Sequence, residues 1–262
     1  MTKGWTPFAF WHFNLRRPRT ARETARPAPF ASLRGYAAQS VRNFSPPGGP
    51  MIRHARAERA ALCDTLLQVG PDASTLCGDW TTGDLLAHLI VREGRPDRAA
   101  GILAPPLAGR TEAAMAALLR DNDFETLVQR LRNGPPRWHP MSVPLVDEQA
   151  NLVEMFVHHE DVLRAAFGAP RRSLDPALVS ALGDRLAVMA KMLFRRTTGA
   201  DLEIVTAKRR TRIGSGKGPV VEIHGRPGEI ILFGFGRQAV AEVELIGPPE
   251  TVEIVRTTRY GV

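Results

Sequence analysis

The sequence predicts an α+β protein in which a mainly α-helical bundle precedes a small α/β domain. Apolar residues recur at helical spacing in segments between residues 52 and 194, whereas stretches rich in valine and isoleucine follow Gly199. These patterns place the bundle in residues 51–196 and the α/β domain in residues 200–262. No run of about 18 apolar residues occurs, so neither a transmembrane helix nor a membrane partner is expected.

Residues 1–50 differ from the rest of the chain in composition. They hold eight basic residues against one acidic residue, and seven prolines interrupt any helical period. Three interpretations remain open: a disordered basic arm that touches an anionic partner, an organelle transit peptide, or a start-site artefact with the true chain beginning at Met51. The last is favoured because amphipathic order begins abruptly at Met51 and because the arginine-rich composition suits a GC-rich bacterial genome. We therefore expect this segment to be dispensable for folding.

The net charge of +8 does not indicate a nucleic-acid partner. The 212 residues after position 50 hold 27 basic and 26 acidic residues, so the part expected to fold is close to neutral and lacks a basic footprint. The two cysteines, Cys63 and Cys77, are too few for a disulfide scaffold and are expected to be small buried apolar residues. Without a classical signal peptide, the expected compartment is the cytoplasm.

The helices of the bundle are marked by their ends. An amphipathic helix is predicted over residues 52–69, and the next begins at Thr81, an N-cap whose partner at N3 is Asp84, a variant of the capping box. Residues 111–132 are helical in two pieces, divided around residues 121–123.

The segment 145–167 predicts the central helix, because it is apolar on several faces. Gly168 and Pro170 end this helix, and another begins with Asp175 as N-cap and runs to about Phe194. In the α/β domain, strands are predicted in DLEIVTA, PVVEIHG and AVAEVELIG, with GSGKG as a turn between the first two. Residues 227–237 fit either a short helix or a strand, and GSGKG lacks the spacing of a phosphate-binding loop.

Three ionisable residues on apolar helix faces are candidate metal ligands. Glu154 and His158 lie one turn apart on one side of the central helix, and His88 lies on another apolar stripe. Ionisable groups in such surroundings are costly unless they are paired or bind a metal. If the two helices pack together, these side chains suit Zn²⁺ or another divalent transition metal with one position left open.

A structural interpretation stays open beside the metal site. A core histidine is commonly hydrogen-bonded structure, and Glu154 with His158 can be a simple i,i+4 polar pair. The pattern H-E-x-x-H is absent after His159. His159 itself points about 100° away from His158 and is expected to pack or to bind solvent.

Two segments, GDWTTGDLLAHL at 78–89 and NLVEMFVHHEDVLRAA at 151–166, resemble the signature segments of the mycothiol-dependent maleylpyruvate isomerase family. That family belongs to the DinB-like superfamily of metal-binding four-helix bundles. The resemblance covers residues 51 to about 196, and the VHHED helix is closest to a metal-binding subgroup of the family. One departure is Asp79, which stands where the family has glycine before Trp80.

The resemblance implies that His88, Glu154 and His158 hold the metal, typically zinc. PGEIILFGFGR resembles an element of the family's small sterol-carrier-like domain, which implies that Arg237 faces the active site and binds an anionic substrate. Alternatively, Arg237 caps a helix C-terminus. Asp161 either orients His158 or is a surface acid.

The function that the resemblance implies is thiol chemistry. A low-molecular-weight thiol, by resemblance mycothiol as cosubstrate, would attack a small electrophilic substrate, giving isomerisation or S-transfer. The alternatives are a metal- or thiol-binding module without catalysis and a structural bundle with a vestigial site.

Overall fold

The computed structural model describes residues 54–94, 108–136, 139, 142–167 and 171–261. Within these ranges the chain is a mixed α/β protein that is mostly helical, with eight helices and one four-stranded sheet. This confirms the prediction that the chain combines helices with a sheet. The segment 1–50, and the helix-ending Gly168 and Pro170, lie outside the described residues. None of the described helices is long and apolar enough to cross a membrane.

The helices are α1 (His54–Val69), α2 (Thr82–Gly94), α3 (Ala108–Asp121), α4 (Phe124–Asn133), α5 (Pro144–Phe167), α6 (Pro176–Leu193), α7 (Pro227–Gly234) and α8 (Pro249–Thr257). The strands are β1 (Asp201–Val205), β2 (Arg210–Ile213), β3 (Val220–Gly225) and β4 (Val243–Ile246).

The predicted helix starts are confirmed by their capping bonds. Thr81 N–H donates to Asp84 Oδ2 at 3.1 Å, and Asp84 N–H donates to Thr81 Oγ1 at 3.3 Å, which closes the capping box of α2. The Asp123 side chain accepts from Thr126 N–H and so separates α3 from α4. Asp175 caps α6 in the same way.

The core is organised around α5, which packs on both sides. One apolar cluster joins α5 to α1, α2 and α4, and Met155 and Val162 are its buried members from α5. The other joins α5 to α6, the sheet and the last two helices, with Leu152 and Phe156 among its members. The second cluster therefore crosses the expected boundary between bundle and α/β domain. The expectation of a central helix over 145–167 is confirmed.

The sheet has the strand order β2-β1-β3-β4, with β1 parallel to β3 and the other neighbours antiparallel. Ile204 lies opposite Ile223 in the register, and both face the core. Helix α7 connects β3 to β4 and approaches α5 closely, because Gly228 leaves no side chain to meet the ring of Phe156. A Cβ at Gly228 would lie 2.7 Å from Phe156 Cζ, so this glycine allows the segment that carries Arg237 to lie against α5.

Three expectations for the α/β domain need correction or completion. Strand β2 was missed, so GSGKG connects β2 to β3 and not the first two predicted strands. Its N–H groups at Ser215 and Gly218 donate to the buried Asp201 carboxylate, so these two donors are already used within the chain. Helix α8 was also missed. The ambiguous segment 227–237 forms a helix over Pro227–Gly234, since Pro227 occupies its first turn.

Candidate metal centre

Helices α2 and α5 bring His88, Glu154 and His158 together in the interior. Their exposed fractions are 8%, 3% and 3%, and one ligand atom from each lies within 4.8 Å of the others. Glu154 Oε1 is 3.6 Å from His88 Nε2 and 3.2 Å from His158 Nε2. Ligands about 2.0 Å from a tetrahedral zinc ion are about 3.3 Å apart, so the donor atoms stand near the spacing that such an ion needs.

The Glu154 carboxylate is satisfied at only one oxygen. Arg92 Nε lies 3.2 Å from Oε1, whereas Oε2 is buried without a hydrogen-bond partner in the described part of the chain. Burial would raise the pKa of Glu154, but the charge of Arg92 and hydrogen bonds with the two histidines hold it well below its ordinary value. A buried anionic oxygen without a partner is costly, and a bound cation would remove that cost.

The two histidines differ in their surroundings. Burial lowers the pKa of His88, so its ring is neutral and offers a lone pair. Burial would also lower the pKa of His158, but hydrogen bonds with Asp161, Cys77 and Glu154 raise it well above its ordinary value. A proton and a cation therefore compete for this imidazole. The Trp80 ring, 5.1 Å from the His88 ring, packs against His88 beside the site.

Asp161 holds the other edge of the His158 ring. Its Oδ2 lies 2.9 Å from His158 Nδ1, while His158 Nε2 points to Glu154. Asp161 is fully buried, so the alternative of a surface acid is excluded. A carboxylate on the distal nitrogen of a metal-binding histidine fixes the tautomer and the ring orientation.

Arg237 reaches the same carboxylate from beyond the end of α7. Its Nε and Nη2 donate to the two oxygens of Asp161 at 2.8 and 2.6 Å. Its Nη1 donates to the Phe235 carbonyl oxygen, as the capping alternative anticipated, and Nη2 also lies 3.3 Å from Cys77 Sγ. The guanidinium thus lies beside the candidate centre with most of its donors engaged within the chain. Its role toward an anionic substrate stays a prediction.

Cys77 is the site residue that sequence reasoning missed. It was expected to be a small residue in apolar surroundings, which holds for the fully buried Cys63. Instead, the partly buried Cys77 donates from Sγ to Asp161 Oδ2 at 3.1 Å and lies 3.7 Å from His158 Nδ1. Burial and the charge of Asp161 raise the pKa of its thiol. The only local signal was its position just before the capping box of α2.

His159 lies on a different face of α5 and packs against α1. Its Nε2 is 2.9 Å from Thr65 Oγ1 and its Nδ1 is 3.3 Å from Glu58 Oε2. The expectation that it points away from His158 is confirmed, and it is buried and not solvated.

The comparisons with family models, curated proteins and solved structures find no match for this chain.

Proposed function

We propose that this protein binds a divalent transition-metal ion, zinc by preference, through His88, Glu154 and His158. The observation that carries the proposal is the buried Glu154 carboxylate. Its Oε2 has no hydrogen-bond partner among the described residues, and its Oε1 lies 3.6 and 3.2 Å from the Nε2 atoms of His88 and His158, near the donor spacing of a zinc site. Two nitrogen ligands and one carboxylate leave a fourth position open, which is typical of catalytic zinc sites. The resemblance of the two signature segments to DinB-like metal-binding bundles supports the same assignment.

We further propose thiol chemistry of the maleylpyruvate isomerase type at this centre, either isomerisation or S-transfer with mycothiol as cosubstrate. A bound divalent cation lowers the pKa of a thiol in its open position, so that the sulfur is a nucleophile at neutral pH. The chain's own residues orient the site. Asp161 holds the His158 ring with Nε2 directed at Glu154, and Arg237 holds Asp161.

A binding module without catalysis is the second candidate, and one observation favours it. Arg237, the residue expected to receive an anionic substrate, already bonds to Asp161, Cys77 and the Phe235 carbonyl. Catalysis of the isomerase type would require this guanidinium to exchange one of these bonds for a substrate carboxylate.

Cobalt substitution separates the two candidates. The Co²⁺ form should develop a thiolate-to-cobalt charge-transfer band when mycothiol is added, and Glu154→Gln should lose the band together with the metal. Turnover of an electrophilic alkene or alkyl halide supports the enzyme, whereas a band without turnover supports the module. The absence of a band with mycothiol, glutathione and cysteine would contradict thiol chemistry, but it would not contradict the metal centre.

A further inference from the structure

A second set of potential ligands lies on the opposite edge of the His158 ring. Cys77 Sγ, His158 Nδ1 and Asp161 Oδ2 lie within 4.8 Å of one another. The sulfur is 3.7 Å from the nitrogen and 3.1 Å from the carboxylate oxygen, and the nitrogen and oxygen are 2.9 Å apart. The set shares only His158 with the first candidate centre, and it differs from it in containing a thiol.

The spacing of these atoms is close to that of a tetrahedral ion. Bonds of about 2.3 Å to sulfur and 2.0 Å to nitrogen or oxygen imply donor separations of about 3.3–3.5 Å. The observed separations differ from these by a few tenths of an ångström, which rotation of the Cys77 and Asp161 side chains can supply.

The chemistry of the set favours a soft cation. A thiolate ligand favours soft ions such as Cu⁺ and Cd²⁺ over hard ones, whereas the first centre, with a carboxylate and two imidazoles, has no soft ligand and suits zinc and harder ions. Arg237 bonds to both Cys77 and Asp161, so thiolate, carboxylate and guanidinium together carry a single negative charge. That charge offsets all or part of the charge of a bound soft cation, and the Arg237 N–H groups remain donors to the two ligands.

We propose that Cys77, His158 and Asp161 form a second metal site, selective for a soft, thiophilic cation and occupied in alternation with the first. The alternation follows from the ring they share, because a neutral imidazole has one nitrogen lone pair. When Nδ1 binds the soft cation, Nε2 carries the proton and donates to Glu154 Oε1, 3.2 Å away. The thiol releases its proton to solvent as the metal–sulfur bond forms, a protonated His158 ring releases its second proton as the metal–nitrogen bond forms, and no oxidant is involved. The proposal does not depend on thiol catalysis at the first centre.

Cadmium titration of the full, metal-free chain tests the site. Cadmium bound by a thiolate has a strong ultraviolet charge-transfer band that nitrogen and oxygen ligands do not produce. We expect the band to saturate at one Cd²⁺ per chain, to vanish in Cys77→Ser and to persist in the matched control Cys63→Ser. It should also persist in Glu154→Gln, which removes a ligand of the first centre only. A missing band in the parent chain, or one unaffected by Cys77→Ser, would overturn the proposal.

Two further measurements use the unmodified chain, so they do not depend on the folding of Cys77→Ser. Cd²⁺ should protect Cys77 from iodoacetamide while Mg²⁺ should not, and equal alkylation rates in the two ions would refute the site. Cd²⁺ should also release Zn²⁺ loaded beforehand, as read by a zinc-sensitive dye. A full cadmium–thiolate band with zinc retained would overturn the alternation.

Discussion

Two consecutive histidines divide α5 into faces that use the same residue types in different ways. On the His159 face, Glu58, Glu160 and Glu229 meet Arg164 and Arg172, and each of the six carboxylate oxygens accepts a hydrogen bond. On the His158 face, Glu154 bonds at Oε1 and leaves Oε2 buried without a partner in the described residues. The carboxylates of the His159 face, hereafter the closed face, form a fully hydrogen-bonded set with the two arginines, hereafter the closed network. The His158 face, hereafter the open face, keeps one buried carboxylate oxygen available to a cation.

The difference lies in where the arginine donors are directed. Arg164 joins Glu160 on α5 to Glu229 on α7, and Arg172 joins Glu160 to Glu58 on α1, so two cations serve three carboxylates. Arg92 forms an ion pair with Glu154, but its Nη1 and Nη2 donate to Asn151 Oδ1 at 2.6 Å and to the Ala150 carbonyl oxygen at 3.2 Å. A buried carboxylate is therefore a candidate ligand when its neighbours leave a lone pair unused.

Breaking the closed network should have the largest effect on stability. Arg164→Ala leaves Glu160 and Glu229 buried without one of their cations, so we expect a loss of about 3–5 kcal/mol in the free energy of unfolding. Urea denaturation measures it, with Arg120→Ala at the exposed Arg120–Asp121 pair as a control that should change little. A loss below about 1 kcal/mol in Arg164→Ala would show that the network contributes little.

The closed network should also make stability depend on acid pH. Burial would raise the pKa of Glu58, but the hydrogen bond with His159 and the charge of Arg172 lower it from 4.5 to about 2. A folded-state pKa below the unfolded value stabilises the protein above pH 4.5, and this contribution is lost as the pH falls towards 2.

The corresponding stability change is about 3 kcal/mol for the metal-free chain, and Glu58→Gln should remove it. Unfolding free energies measured between pH 7 and pH 2.5 test this. If the parent chain and Glu58→Gln lose stability in parallel over that range, protonation of Glu58 does not cause the loss.

The open face should respond to metal where the closed face does not. Zinc at 100-fold its dissociation constant should stabilise the parent chain by about 2.7 kcal/mol, because the ion binds the folded state. Glu154→Gln should lose this gain, whereas the matched change Glu58→Gln on the closed face should keep it. Thermal shift with and without Zn²⁺ provides the measurement, and equal gains in the two variants would argue against Glu154 as a ligand.

The smallest effect is expected from Asp161, which is hydrogen-bonded to the candidate ligand His158. Asp161→Asn keeps the shape but weakens the hold on His158, so zinc affinity should fall about 10- to 100-fold without loss of binding stoichiometry. Competition with a chromophoric chelator measures the affinity. Unchanged affinity would mean that Asp161 serves only to pair with Arg237.

The features that the sequence predicted correctly depend on residues close to one another in the chain. The capping box at Thr81 and Asp84 lies within four residues, and the spacing of Glu154 and His158 follows from one helical turn. The meeting of His88 with these two needed only the assumption that two apolar stripes pack together.

What was missed depends on contacts distant in sequence. Cys77 reaches Asp161 because its loop is held by Leu76 N–H, which donates to the Asp161 carbonyl oxygen. Strand β2 alternates Arg210 and Arg212 with Thr211 and Ile213 at a sheet edge, so it has no run of apolar residues to indicate it. The engagement of Arg237 likewise could not be read from its motif, since its partners lie 76 and 160 residues away.

The most direct test of the account is the metal content of the full chain purified without added metal, measured by inductively coupled plasma mass spectrometry. The two faces of α5 supply the matched pair, His158→Ala and His159→Ala. We predict one divalent transition-metal ion per chain in the parent protein and in His159→Ala, and none in His158→Ala. No metal in the parent protein even after incubation with Zn²⁺, or metal lost from His159→Ala and kept in His158→Ala, would contradict the assignment of the open face as a metal centre.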